Sequence, residues 1–530
     1  MIWLLLALAV LPDPKAVWTG SGATPLGAPS PDGRWVSGID PATGDLLIHD
    51  VGSGADRRLT ANTDKKQFAY FSVFSPDSKQ VAYAWFNEEG FYDLRIVDLE
   101  GGKPRLVYRN EEAGFVQPCA FSPDSKQILT LLFRKDNISQ IASIPLAGGA
   151  ARVLKSLNWV YPKRMDFSPD GRWIVYDSFP ADGARERDIF LLAADGSREK
   201  RLVEGPGDDL FPIFSPDGAR VFFSSDRGGS PGIWSVAVEG GKPELVRNGL
   251  GRFLLMGLSH DGRIFFSRRN GSTGIYRAGV DLAAGKLTTG AERIGDGSSA
   301  AWSPDGGSIA WLGRQPGENY GVESRFVLIR RLRDESPRAI YPKLAHLQRL
   351  FWSVDGKALL VSGSDGKGRA GVFEVSPESG EVKVIAQEPG GPHTGYPACA
   401  TVRGVAYAKE RSVWIGDKTV RAAAEEVEAV ALSADGQKWA VGTAKSLVIG
   451  ERQSPTAQPV TALAWTPQGT AVVSVEGDEL WLHRIDGTAT RIAKAASAID
   501  GVSIHPDGKS ILFSAGRAVP EVWTLETTPR

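Results

Sequence analysis

This sequence predicts an all-β chain folded as tandem rings of short antiparallel sheets, and three observations carry the prediction. A short phrase, Ser-Pro-Asp-Gly in its fullest form, returns eleven times, from Ser30-Pro31-Asp32-Gly33 to His505-Pro506-Asp507-Gly508. Its third residue falls at 32, 77, 124, 170, 217, 261, 305, 355, 435, 468 and 507, so the first seven steps run from 44 to 50 residues. Each copy lies between short runs rich in apolar, β-branched and aromatic residues. A period of this length filled with short strands belongs to β-propeller blades and not to helical solenoids.

The elements of one blade follow in order. Before the turn comes an apolar stretch such as Phe71-Ser72-Val73-Phe74, read as the first strand. In the phrase, Pro presets φ at the first central position of a type I turn, Asp bonds back to the local backbone, and Gly takes the left-handed conformation that closes the connection. Ser78 and Ser125 replace that Gly in two copies, where strain is expected if the residue stays left-handed. After the turn, Val81-Ala82-Tyr83-Ala84-Trp85 reads as the second strand, Asp93 to Asp98 as the third and Arg105-Leu106-Val107-Tyr108 as the fourth. The 80-residue step between 355 and 435 is about twice the others and predicts a degenerate copy, with strands at 397–402, 405–407 and 413–415. The expectation is about twelve four-stranded blades in two rings, six plus six, with seven plus five or six left open.

The ends suggest how a ring closes. The last copy offers strands around 502–504, 511–513 and 522–525 without a fourth, while Ala16-Val17-Trp18-Thr19 precedes the first phrase as an orphan strand. An early strand completing a late blade removes exposed edges. The expected division is a leader at 1–12, a first propeller at 16–292 and a second at 293–530. Ile2 to Leu11 is an apolar run of signal-peptide length, too short to cross a bilayer, but no Lys or Arg precedes it and the small-residue site at Ala7-Leu8-Ala9 is poor. Export to the periplasm or medium is expected, with a cytoplasmic location as the alternative.

Composition narrows the function classes. Lys+Arg 61 against Asp+Glu 62 leaves a formal net charge of -1, which supplies no general attraction to nucleic acid or anionic membrane. Cys119 and Cys399 both fall just before a turn and read as small buried side chains, since no Cys-x-x-Cys spacing exists. Gly228-Gly229-Ser230-Pro231-Gly232 satisfies Gly-x-Ser-x-Gly, yet it stands between two strands, where a nucleophile elbow needs a strand followed by a helix. Six histidines, His49, His260, His346, His393, His483 and His505, form no His-x-His or His-Glu-x-x-His pair. No metal or cofactor is expected.

The repeats resemble those of the TolB-type propeller family. Phe167-Ser168-Pro169-Asp170-Gly171-Arg172-Trp173-Ile174-Val175-Tyr176, followed by Asp188-Ile189-Phe190-Leu191-Leu192-Ala193-Ala194-Asp195-Gly196, carries the likeness, as does Phe214-Ser215-Pro216-Asp217-Gly218. It covers nearly the whole chain, strongly to about Val375. It implies the fold firmly and the function loosely, because such repeats serve periplasmic scaffolds, sensors and enzyme lids. The α/β domain ahead of TolB's own propeller, and the hydrolase domain behind the propeller of peptidase relatives, find no counterpart in the sequence.

Residues entering the first strand of each blade ring a propeller's mouth, where recognition concentrates. In the first ring these are Tyr70, Gln117, Tyr161, Lys163, Asp209 and Arg252, and in the second Arg349, Tyr396, Glu428 and Asp500. The expected function is a non-enzymatic envelope scaffold or sensor that binds a protein or peptide over the first mouth. The alternative is a metal-dependent glycan lyase or hydrolase acting in an axial pocket.

Overall fold

The computed structural model describes residues 12–527 apart from 20–22, 64–66, 88, 90, 137, 158–160, 182–183, 185, 252, 271–272, 314–325, 366–368, 388–396, 402–403, 410, 416–417 and 517–518. Its regular elements are strands throughout, arranged mostly as four-stranded antiparallel sheets. Among these residues no helix is long and apolar enough to cross a membrane.

The recurring phrase builds a turn with defined chemistry. In the copy at 168–171, the Gly171 amide donates to the Ser168 carbonyl (2.8 Å) and the Trp173 amide to Ser168 Oγ (2.9 Å). Ser168 Oγ donates to Asp170 Oδ1 (2.7 Å), which also accepts the Arg172 amide (3.0 Å). These bonds hold the Asp170 carboxyl down at about 2. Gly171 and Gly218 both lie at φ 71, the left-handed region that the turn requires, and Ser78 and Ser125 occupy it at φ 57 despite their side chains. Such strain persists only where its surroundings fix it, here by the same Ser–Asp clamp (Ser75 to Asp77, 2.6 Å).

Within a blade, burial follows strand position. The second strand, Gln80–Phe86, is buried from Val81 to Trp85 because neighbouring blades cover both its faces, which suits its unbroken apolar run. The outermost strand of the first blade, Asp56–Arg58, is exposed at every residue. Between the second and third blades Val73, Leu94, Ile96, Val116, Phe121, Ile128 and Leu132 form one core cluster, and similar clusters recur between other blades.

The chain divides into two compact units, one made of residues up to Asn270 together with Val519 onward, the other of most of Gly271–Ala518. In the first, sheets at 24–58, 68–108, 113–157, 165–203 and 210–247 are followed by a composite blade. It consists, from the inside out, of Phe253–Leu258, Arg263–Asn270, Val519–Glu526 and Lys15–Trp18. The innermost strands touch in the cyclic order Thr24–Pro29, Phe68–Phe74, Ala113–Phe121, Met165–Phe167, Leu210–Phe214, Phe253–Leu258 and back to the first, so this propeller is closed.

In the second unit the sheets at 297–340, 344–387, 398–422, 427–455 and 460–494 are joined by another composite of Ile499–Ile504, Ser510–Ala515, Gly274–Asp281 and the first half of Glu292–Trp302. The degenerate copy inferred from the 80-residue gap is the sheet at 398–422.

The expected boundary at 292/293 is therefore corrected: the first unit ends at Asn270 and resumes at Val519. Gly274–Asp281, which reads as a third strand following Arg263–Asn270, pairs instead with Ser510–Ala515, and Val519–Glu526 takes its place beside Arg263–Asn270. The physical reason is that a strand's pattern fixes which face it buries and leaves open which sheet it joins. The orphan strand behaves as expected, since Lys15, Ala16 and Trp18 pair with Thr524, Trp523 and Val522. Residues 1–11 lie outside the described residues.

Candidate binding site at the mouth of the first propeller

The rim where innermost strands begin, second strands end and third strands start carries a band of aromatic side chains. Phe68, Tyr70 and Phe71 come from the second blade's innermost strand, Phe86 and Tyr92 from its next two, Phe115 and Phe133 from the third blade, and Tyr161 from the segment entering the fourth. All eight are half-buried. Their rings form an unbroken chain of contacts: Phe86 to Phe68 (5.1 Å), Phe68 to Tyr70 (6.2 Å), Tyr70 to Phe115 (5.8 Å), Phe115 to Phe133 (5.8 Å) and Phe133 to Tyr161 (5.1 Å). Tyr92 meets Phe115 edge to face at 4.5 Å, and burial pushes its hydroxyl up to about 12. Phe71 is held at φ 36, an unusual backbone for a bulky residue, at a register shift that sets Tyr70 and Ser72 out of step. Beside the band a cleft of about 550 Å³ opens between the first two blades, lined by Thr24, Ile39, the turn at 41–44, Phe68 and Tyr70.

Buried ion pairs fix the backbone under this rim. Asp177, fully buried, accepts the amides of Lys163 (3.1 Å) and Arg164 (3.0 Å) and a bond from Arg187 Nη1 (3.0 Å), which also donates to the Tyr161 carbonyl (3.0 Å). One carboxylate and one guanidinium therefore hold the segment 161–164 in place. Burial raises the Asp177 carboxyl and Arg187 opposes that shift. In the second blade the fully buried Asp93 is held by the side chains of Arg95 (2.8 Å) and Arg109 (2.7 Å).

The structure brings together three of the six residues expected at the mouth. Tyr70 and Tyr161 stand in the aromatic band, and Lys163 sits 4.5 Å over the Tyr161 ring with its Nζ donating to the Tyr161 hydroxyl (3.2 Å). Gln117 is half-buried on the third blade's innermost strand, its carbonyl accepting from Cys119 Sγ (3.5 Å). Asp209 is a correction: it is fully buried and paired with Arg227 (2.6 Å), so it serves the interior of the blade and presents nothing to a partner. Burial pushes its carboxyl up to about 6, against the pull of Arg227. Arg252 lies outside the described residues. In the second unit Arg349 is turned to the Thr461 carbonyl (2.7 Å), Glu428 is half-buried and Asp500 exposed, while Tyr396 lies outside the described residues.

Sequence reasoning did not reach Phe86, Tyr92 and Phe133, which close on the rim from second and third strands, nor Phe68, Phe71 and Phe115, which flank the one position chosen in each first strand. The other motifs fall as their spacing implied. Gly228–Gly232 occupies the hairpin between Arg220–Ser225 and Gly232–Ala237. Cys119 and Cys399 are free and pack against core clusters, each thiol pushed up to about 12 by burial. Of the histidines, His346 is buried, and His393 lies outside the described residues. Among the described residues no three His, Cys, Asp or Glu side chains gather at metal-binding distance.

With this geometry in place, comparison with known proteins is informative over part of the chain. Residues 87–291 match the TolB beta propeller domain. An uncharacterized protein of Agrobacterium fabrum is 29% identical over 161 residues, which is 28% of this chain and 53% of that protein. The Tol-Pal system protein TolB of Bordetella pertussis is 41% identical over 54 residues, 10% of this chain and 12% of that one. The chain thus spans about half the length of the first relative and much less of the second. A solved structure titled as a putative TolB from Agrobacterium tumefaciens aligns with a TM-score of 0.37 and 22% identity, covering 44% of this chain and 83% of that one.

Proposed function

Starting from a propeller of TolB-type repeats, we propose that this protein is a non-enzymatic scaffold or sensor of the cell envelope that binds a protein or peptide over the mouth of its first propeller. The observation that carries the reading is the unbroken band of eight half-buried aromatic rings from Phe86 to Tyr161, joined to the cleft at Phe68 and Tyr70. Large rigid rings lose little side-chain freedom on contact and bury much area, which makes them the usual anchors of interfaces. A soluble surface otherwise keeps such patches small. Buried pairs beneath the rim hold its backbone before any partner arrives, which lowers the ordering cost of association. The TolB-type repeat supports an envelope location and a protein partner.

The test is capture from an envelope extract by immobilised protein, followed by affinity measurement with the partner identified. Phe115→Ala with Tyr161→Ala is expected to weaken binding about a hundredfold, the loss of two anchors, while the melting profile stays intact. Equal affinity in the double variant places the binding surface elsewhere.

A further inference from the structure

Below the aromatic rim the first propeller carries a guanidinium with a buried N–H that no group among the described residues accepts. Counted back from the Ser that opens each turn phrase, Arg164 and Asp166 stand four and two residues before Ser168. The other innermost strands of this propeller have Leu26 and Ala28, Phe71 and Val73, Pro118 and Ala120, Phe211 and Ile213, and Leu255 and Gly257 at those places. The two charges therefore interrupt a ring of uncharged side chains.

Arg164 reaches inward from the fourth blade. A methyl group at Gly257, on the innermost strand of the composite blade, would lie 3.6 Å from its Nη2 and 2.6 Å from Cδ of Pro29 on the first blade. Asp166 accepts the amide of Phe214 from the fifth blade (3.3 Å), and the Cys119 thiol of the third blade feels both charges. Innermost strands on several sides thus face one guanidinium. Its Nε is buried without a hydrogen-bond partner, while Asp166, two residues on, attracts the guanidinium through its charge. Its backbone amide, by contrast, is fixed by Asp177. Desolvation weighs against the charged form of both side chains.

A buried guanidinium N–H without an acceptor is costly, and a fork of N–H donors is shaped for a planar anion. We propose that the axial floor of the first propeller is a carboxylate-binding site, in which the Arg164 guanidinium takes the carboxylate of a peptide entering past Tyr161. This inference rests on the reading of the mouth as a peptide-binding surface. Arg164 follows Tyr161 by three residues in a bent segment, a span of at most about 10 Å, so a ligand anchored on the rim has its end within reach of the floor. A phosphate dianion would bring more negative charge beside Asp166 than a singly charged carboxylate does.

The experiment uses the full chain and random heptapeptide libraries free of Asp and Glu, made with a C-terminal carboxylate, with a C-terminal amide, and as amides ending in Glu. Selection on the wild-type protein is expected to enrich one of the carboxylate-bearing libraries at least tenfold over the plain amide. Enrichment of the first assigns a chain-terminal carboxylate and enrichment of the third a side-chain one. Arg164→Met is expected to remove that preference while melting no lower than wild type, because the substitution also removes a buried N–H that has no acceptor; should it melt lower, Arg164→Lys, which keeps the charge and loses the fork, is read instead. Equal enrichment of acid and amide libraries, sensitive to Phe115→Ala, overturns the Arg164 site and leaves the mouth reading standing. No enrichment from any library overturns both.

Discussion

Replacing Trp18 with Ala tests whether the N-terminal strand closes the first propeller. Trp18 is 4% exposed and packs with Ala23, Val36, Leu47, Met256, Phe265 and Val522, residues drawn from both ends of the chain and from the middle. It stacks on the His49 ring (4.8 Å, 13°), while Gly38 leaves room for its edge, since a methyl there would come within 2.7 Å. His49 adds a second tie, with Nε2 2.9 Å from the Val17 carbonyl and Nδ1 2.6 Å from Asp56. A buried Trp removes on the order of 200 Å² from water, or about 5 kcal/mol at 25 cal/mol per Å². Truncation to Ala in a core costs about 3–5 kcal/mol. In a unit of this size about 2 °C per kcal/mol is expected, so calorimetry should show a transition lowered by about 6–10 °C. The partners of Trp18 all lie in the first unit, so only that unit's transition is expected to move. A shift under about 2 °C, or one confined to the other transition, would refute the closure.

Two further outcomes follow from the interior. Gly27 pairs with Ser72, and a methyl there would overlap Ser37 Oγ and stand 2.9 Å from the Ser72 carbonyl; Gly27→Ala should cost about 1–3 kcal/mol by overpacking, seen as a lower urea midpoint, and an unchanged midpoint would contradict this packing. The Asp209 carboxyl lies near 6 in the folded protein against an ordinary value of 3.8, so the folded state binds more protons between those limits and stability falls as pH rises through that window. Relative to Asp209→Asn, wild-type stability should drop by about 2–3 kcal/mol from pH 4 to pH 7, and a flat difference would show that Arg227 offsets the burial fully.

The turn phrase made the blades legible because each of its residues has a local job, and local chemistry survives translation into structure. The degenerate sheet at 398–422 followed from spacing alone. The exchange of Gly274–Asp281 and Val519–Glu526 was not legible, since strand pattern specifies a face and leaves the partner sheet unspecified. At the mouth, Tyr70 and Tyr161 were found from their position ahead of a first strand. Asp209 has the same position, but Arg227, eighteen residues on, returns beside it and turns it inward. Arg164 and Asp166 did leave a signal, two charges around Met165 where aligned copies are uncharged, visible only when the six strands are compared offset by offset.

The composite blade also orders events in time. Arg263–Asn270 leaves the ribosome long before Val519–Glu526, its neighbour in the sheet, and about 250 residues of translation separate them. At about 5–20 residues per second that interval is roughly 12–50 s, during which five blades and an unmatched hairpin must persist with open edges. Lys15–Trp18 waits longer still, because the strand it pairs with is made about 500 residues after it. Both rings are completed only by strands beyond residue 498, so neither can mature as an early, independent product of synthesis. Until those strands are made the nascent chain is in a form that invites edge-to-edge pairing, and its dependence on holding factors should exceed that of a propeller whose blades are laid down in sequence.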